Sequence, residues 1–407
     1  MKIIFFDYWL KGVANFERLI PGFQKYPDIE MKMIHVGSWK ERQQSIVTKH
    51  NGFTSYDISF YKTNNLYRIL KREQADVVVM LNLCFFLDKA IVAYCKKLNM
   101  KVIYLAHGNL LNDVVLEEFH QNVNKSFKKN PFGKLRKDTV LQLWNYFYAT
   151  CIINHSWGLF IKSLIRLFRN PATMTIYATD CRELDVDQLL VYYLSDKYSL
   201  MKRANFDKSK IVVTGNPDLD SFINKNPEPF SYLSKKYNMP LDYVLYLEDG
   251  FVQAKILSKE QWYSLLKDIS DVCRKNNLIL VVKLHPRTRL EEHRDFLKKE
   301  NIIPIVEEDM KTLVYYASNI VSQRSTTIVY GLILKKKVLS PRWGYSMSLS
   351  YNYPVDVIRY CHTIEEFENI LISKTETCTN DEYMKNNIGV MDGRAVERIV
   401  GSIKNIF

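Results

Sequence analysis

Residues 278–287 read LILVVKLHPR: a continuous apolar run, then a lysine, a leucine, a histidine, a proline and an arginine. A run of this length between helical patterns is a strand buried on both faces of a parallel sheet. Pro286 stops the ladder and fixes φ, so His285 is held at the mouth of the strand. That is where a doubly wound sheet meets its ligand. Lys283 and Arg287 add positive charge for an anion. The plainer reading of the same residues is a histidine closing a strand in a basic loop.

The alternation extends in both directions. Strand-like runs at 243–247, 302–306, 319–321 and 337–339 are separated by helical patterns at 259–275, 290–299, 310–317 and 327–334. Upstream, 224–242 carries Pro227, Pro229 and Pro240 and reads as a linker. Before it the alternation repeats. Strand-like runs stand at 2–6, 31–36, 76–81, 101–105, 175–178, 189–193 and 210–214, with helical patterns at 16–23, 66–72, 89–98 and 196–204. The fold class is α/β: two Rossmann-like doubly wound domains, 1–225 and 226–407, facing a cleft.

The chain has 407 residues with a net charge of +13; 47% of its residues are hydrophobic and 25% charged, which excludes wholesale disorder and allows two cores. Seven scattered cysteines with no CxxC pair argue against a disulfide framework and a zinc site, and for a reducing compartment. The N-terminal run lacks a cleavage site, so a signal peptide is not expected. No apolar stretch is long enough to span a bilayer; the longest, 77–87, is broken by Asn82. A cytoplasmic protein, soluble or peripheral, is expected.

Four more places could carry chemistry. The run 317–327, ASNIVSQRSTT, puts Ser325, Thr326 and Thr327 with Arg324 before a helix. One hydroxyl suffices for a cap; several in a row also suit a phosphate. His107, in AHGN after the strand 101–105, is placed to act as a general base, with Asp113 nearby to orient or replace it; it is equally readable as a loop histidine. Asn216 lies in TGNPDLD, ordinary turn chemistry at the end of the first half. Glu248 and Asp249, followed by Gly250, stand at a strand tip where they could contact a sugar, a metal or the acceptor, or deprotonate the acceptor if His107 does not, or form a solvated turn.

Residues 121–169 depart from the alternation. They hold Lys128, Lys129, Arg136, Lys137, Lys162, Arg166 and other bases against one acid, with many aromatics. Trp157, Phe160, Ile161, Leu164 and Phe168 fall on one helical stripe, with Lys162, Arg166 and Arg169 turned away. This suits contact with an anionic membrane or a lipid-linked acceptor, or a core-packed helix with a solvated face. No nucleic-acid module is visible, nor a P-loop, a GxGxxG, an HExxH, a GxSxG or a convincing metal triplet. No metal or other cofactor is expected.

The order AHGN, GNPDLD, KLHPR and SQRSTT over about residues 70–340 resembles GT-B glycosyltransferases. More narrowly it resembles bacterial surface-polysaccharide enzymes with cytidine-nucleotide donors: CDP-glycerol glycerophosphotransferases and the HP-motif capsule sialyl- and Kdo-transferases. The resemblance implies that His285, Pro286, Ser325, Thr326 and Thr327 hold the nucleotide, and that His107 is the base. Departures are SQRST in place of the usual acidic-aromatic-Ser-Ser run, and Glu248-Asp249 in place of a Pro-Thr type. The expected activity is metal-independent transfer of a sugar or polyol phosphate from a CMP- or CDP-linked donor. The acceptor is a lipid-linked or growing capsule, lipopolysaccharide or teichoic-type glycan. The alternatives are a UDP-sugar transferase, an enzyme like UDP-GlcNAc 2-epimerase, and a non-catalytic membrane-docking protein.

Overall fold

Strand runs rich in Ile, Val, Phe and Tyr form two sheets in the computed structural model, which describes residues 1–40, 45–83, 85–107, 137–169, 184–204, 206–253, 256–323, 325, 327–344, 353–373 and 381–407. The chain divides into two units, Met1–Asp220 with Asn386–Phe407, and Ser221–Lys385.

The first unit holds β1 (Lys2–Asp7), β2 (Glu30–His35), β3 (Val47–Lys49), β4 (Thr54–Asp57), β5 (Val77–Met80), β6 (Lys101–Leu105), β7 (Gln188–Val191) and β8 (Ile211–Val213). Their order is β3-β4-β2-β1-β5-β6-β7-β8, parallel except where β3 runs against β4. Phe5 pairs with Met33 on one side and Val79 on the other, and all three are fully buried. Such two-sided burial is what an unbroken apolar strand encodes. The edge strand β3 and its neighbour β4 went unread because VTK and TSYD carry no apolar run. The expected strand at 175–178 lies outside the described residues.

The second unit holds β9 (Tyr243–Leu247), β10 (Ile279–Lys283), β11 (Ile303–Ile305), β12 (Asn319–Val321), β13 (Lys337–Pro341) and β14 (Arg359–Cys361). They run parallel in the order β11-β10-β9-β12-β13-β14. The helix Lys259–Lys275 covers this sheet with Trp262, Leu266, Ile269 and Cys273, spaced along one helical face and buried. Ser258 and Gln261 close its N-terminus with a reciprocal capping box.

The domain boundary differs from the expected 225/226, because the last helix, Ala395–Lys404, packs on the first unit. The Asp220 carboxylate accepts from the Ala395 N–H at 3.0 Å and the Val396 N–H at 2.8 Å, capping that helix. Arg398 Nε donates to the Thr214 carbonyl at 2.6 Å, and Ile399, Val400 and Ile403 are buried. The expected linker is no open tether. It contains the helix Phe230–Tyr237, ended by Asn238 in the left-handed region at φ 52°.

At the carboxyl end of β1, Asp7 is 6% exposed, and its Oδ1 accepts from Asn82 Nδ2 at 3.3 Å. Gly12 packs so close that a Cβ there would collide with the Asp7 carboxylate, which is why glycine is required. Burial pushes the Asp7 carboxyl from 3.8 up to about 6, against the opposing pull of the Tyr8 and Trp9 backbone N–H groups and of Lys40. The folded chain therefore holds this proton more tightly than the unfolded chain does. Its contribution to stability falls as pH rises from about 4 through about 6, at ~1.4 kcal/mol per pH unit. Asp7→Asn should raise stability over wild type by up to ~3 kcal/mol at pH 7.5 and by little at pH 4. Thermal midpoints across that range check this, and an equal shift at both ends would contradict it.

Candidate functional site

In the second sheet the chain leaves β9 toward β10 and later returns on the other side at β12. Beyond the carboxyl end of β9 a crevice must open at this reversal. A cavity of about 570 Å³ lies there, within the range of small-ligand sites. Leu247 and Glu248 line it from β9, and Lys283, Leu284, His285, Pro286 and Thr288 from β10 and its turn. Val306, Glu307, Glu308 and Met310 line it after β11, and Ser325 and Thr327 after β12.

The two acids at the β9 tip hold the two lips of this crevice. Glu248 is buried; its Oε2 accepts from the His285 backbone N–H at 2.9 Å and its Oε1 from the Thr288 hydroxyl at 2.8 Å. Asp249 Oδ2 accepts from the Gln323 N–H at 3.1 Å and the Ser322 hydroxyl at 3.3 Å. Burial raises the Glu248 pKa, while its donors and Lys283 oppose that shift. Both carboxylates, expected as catalytic candidates, are thus placed as braces that position neighbouring loops.

Gly250, at φ 69°, adopts a backbone conformation that side chains rarely take, and a Cβ there would lie 3.1 Å from His285 Cγ. The His285 ring therefore lies against the Gly250 backbone. Burial, with the charges of Arg287 and Lys283, holds its imidazole below the ordinary value, so the ring is neutral at pH 7. Nδ1 accepts from the Arg287 N–H at 3.1 Å, which leaves the proton on Nε2 as a donor. Pro286 and Arg287 are exposed. Lys283 Nζ donates to the Val306 carbonyl at 2.7 Å and the Leu284 carbonyl at 3.2 Å, and burial pushes its pKa down.

At the other lip, Ser325 Oγ and Thr327 Oγ1 lie 2.7 Å apart, and the Thr327 N–H donates to Ser325 Oγ at 3.2 Å. Thr327, at the N-cap of the helix Ile328–Ile333, makes no side-chain cap bond, and Ser325 Oγ accepts from the backbone just before that helix. Arg324 and Thr326 lie outside the described residues.

The remaining expected residues lie elsewhere. Asn216 belongs to the first unit, where its Nδ2 donates to the Tyr193 hydroxyl at 2.9 Å and its Oδ1 accepts from the Asp218 N–H at 3.0 Å. It fastens a turn and does not join the cavity. His107 lies two residues past the end of β6 in the first unit; it is exposed, yet the protein around its ring holds its pKa low, assisted by Arg18 and opposed by the Leu81 carbonyl. Asp113, Lys128, Lys129 and Arg136 lie outside the described residues, and Lys137 opens the helix Lys137–Phe147. Sequence reading missed Thr288, Glu307, Glu308 and Met310. The signal was available, since 307–310 follow a strand whose carboxyl end had to face the same crevice.

The helix Trp157–Arg169 turns differently from expectation. Ser163 is buried, its hydroxyl 2.8 Å from that of Tyr146, and Phe160 and Leu167 pack against Phe86 and Tyr146. Trp157 (54% exposed), Ile161, Ile165 and Phe168 (61%) are left as an outward apolar stripe. Lys162, Arg166 and Arg169 are exposed beside it.

Residues 145–335, just under half of the chain, match the Alpha-2,8-polysialyltransferase (POLYST) family. No curated protein matches the chain. Among solved structures, UDP-GlcNAc 2-epimerase from Methanocaldococcus jannaschii is similar at 18% identity and TM-score 0.55, covering 99% of each chain. UDP-GlcNAc 2-epimerase from Neisseria meningitidis, bound to UDP-GlcNAc, is similar at 14% identity and TM-score 0.52, covering 99% of this chain and 100% of that one. At such identities the likeness concerns the fold alone, two doubly wound units of GT-B type. With the family match over residues 145–335, the chain is a glycosyltransferase with a fold of GT-B type.

Proposed function

We propose that the cavity of the second unit seats a nucleotide-activated donor, cytidine-linked, and that the sugar or polyol phosphate passes to a lipid-linked or growing glycan. The observation that carries this is the crevice itself: a neutral histidine donor on one lip and paired hydroxyls on the other, braced from one strand tip. Ser325 and Thr327 donate to the phosphate, Arg287 adds positive charge, and His285 Nε2–H fixes the nucleotide. The acceptor oxygen bonds to the transferred group while the bond to the donor phosphate breaks, and the acceptor proton passes to a base. His107 is our candidate for that base, since its depressed pKa keeps it neutral and able to take a proton. Because Glu248 and Asp249 are engaged by N–H and O–H donors, we assign the charge on the departing phosphate to side chains and propose no resident cation.

The first test is thermal stabilisation by CMP, CDP, UDP, GDP and ADP. Cytidine nucleotides should raise the midpoint most. His285→Ala and the double variant Ser325→Ala/Thr327→Ala should each weaken that binding by about tenfold, ~1.4 kcal/mol. Gly250→Ala should do the same by displacing His285. Normal binding by all three variants would remove the site; release of an epimerised product from UDP-GlcNAc with no acceptor present would replace transfer by epimerisation.

If His107 is the base, the transfer rate should rise with pH through a value below 6.5 and then level. His107→Ala should lose at least ~100-fold in kcat and flatten that limb, and chelator-treated enzyme should follow the wild-type profile. A retained acid limb in His107→Ala would assign the base elsewhere.

We further propose peripheral contact with the anionic inner face of the cytoplasmic membrane through the stripe of Trp157, Ile161, Ile165 and Phe168 with Lys162 and Arg166. Among the described residues no helix is long and apolar enough to cross a membrane. In flotation with phosphatidylglycerol vesicles, Ile161→Ser/Phe168→Ser and Lys162→Glu/Arg166→Glu should each reduce bound protein by about tenfold. Equal binding to neutral phosphatidylcholine vesicles would contradict the charge term.

A further inference from the structure

The cavity is chemically graded along the sheet. Ser325 and Thr327 stand after β12 and the acids after β11, three strand steps or ~14 Å apart across the carboxyl edge. A phosphate belongs at the hydroxyl end, because carboxylates at the other end repel it. The base of a bound nucleotide must then reach the turn after β11.

That turn is held rigid. Glu308 Oε2 accepts from Lys236 Nζ at 2.8 Å and the Tyr237 hydroxyl at 3.0 Å, and its Oε1 from the Asp309 N–H at 2.9 Å. Asp309 caps the helix Met310–Tyr316 by accepting from the Thr312 N–H, and it pairs with Lys225. The Tyr237 hydroxyl also lies 3.1 Å from the Glu307 carbonyl, so its one proton is shared between the two acceptors. Of the three consecutive acids, Glu307 alone is exposed; among the described residues its carboxylate accepts no hydrogen bond, and its charge interacts with that of Lys283. It lines the cavity between Val306 and Met310, whose apolar and thioether surfaces suit the face of a flat ring.

An ionised carboxylate can only accept hydrogen bonds. Cytosine offers an exocyclic N4 amino donor where uracil offers the O4 acceptor. We propose that Glu307 is a specificity-determining residue: it accepts from the amino group of the base and selects cytidine over uridine nucleotides. This rests on the nucleotide-donor reading above, and the experiment separates the two.

The test is calorimetric titration of the full chain and of Glu307→Gln with CMP and UMP, with thermal midpoints to show that the variant is folded. Wild type should bind CMP at least ~10-fold more tightly than UMP. In Glu307→Gln, whose amide serves either base, the two should fall within about threefold of each other. An unchanged CMP/UMP ratio in the variant, or equal weakening of both ligands as for a ribose contact, overturns the assignment and leaves the donor reading standing. A wild-type preference for UMP overturns the assignment together with the cytidine part of the donor reading, and leaves a uridine-linked donor in its place. Binding of neither nucleotide removes the donor reading and Glu307's role with it.

Discussion

Everything at the site depends on two adjacent carboxylates that face opposite ways. Glu248 grips the turn after β10 and Asp249 the turn after β12. A doubly wound sheet opens at its switch point because the chain leaves in both directions there, so nothing in the backbone ladder holds the lips together. Side chains from the central strand must do it. Each carboxylate oxygen of Glu248 meets a donor, which is how a buried charge is tolerated. That brace fixes the His285 backbone, and Gly250 gives the imidazole a flat surface to lie on.

Much of this was legible in the sequence, because the signals were local. Pro286 after an apolar run ends a strand, and the structure puts His285 at the cavity mouth. The hydroxyls of 325–327 stood out by density, and Ser325 and Thr327 line the same cavity. The roles of Glu248 and Asp249 were not legible, since a carboxylate at a strand tip reads the same whether it meets a substrate or a neighbouring loop. Only the partners at 2.9 Å and 3.1 Å distinguish these cases. The last helix shows the same limit: AVERIVGSIK is plainly amphipathic, but the unit it packs on is decided by Asp220 and the Thr214 carbonyl, far away in sequence, which receive its Ala395 N–H and its Arg398.

The helix Trp157–Arg169 shows a third kind of limit. Its apolar arc is wider than one contact face needs. Periodicity marks the arc and cannot say which part is buried. The single hydroxyl of Ser163, bonded to Tyr146, marks the inner edge and turns Trp157, Ile161 and Phe168 outward. A polar residue inside an apolar arc was the usable clue.

The central claim is that the nucleotide seat lies at the β9 switch point of the second unit. Hydrogen–deuterium exchange with and without saturating CMP tests it most directly, since exchange reports local opening segment by segment. The account predicts slowed exchange at 248–250, 285–288, 306–310 and 322–328, with the turns after β1, β5 and β6 unchanged. Protection confined to those first-unit turns, with the second unit exchanging as in the free protein, would contradict it.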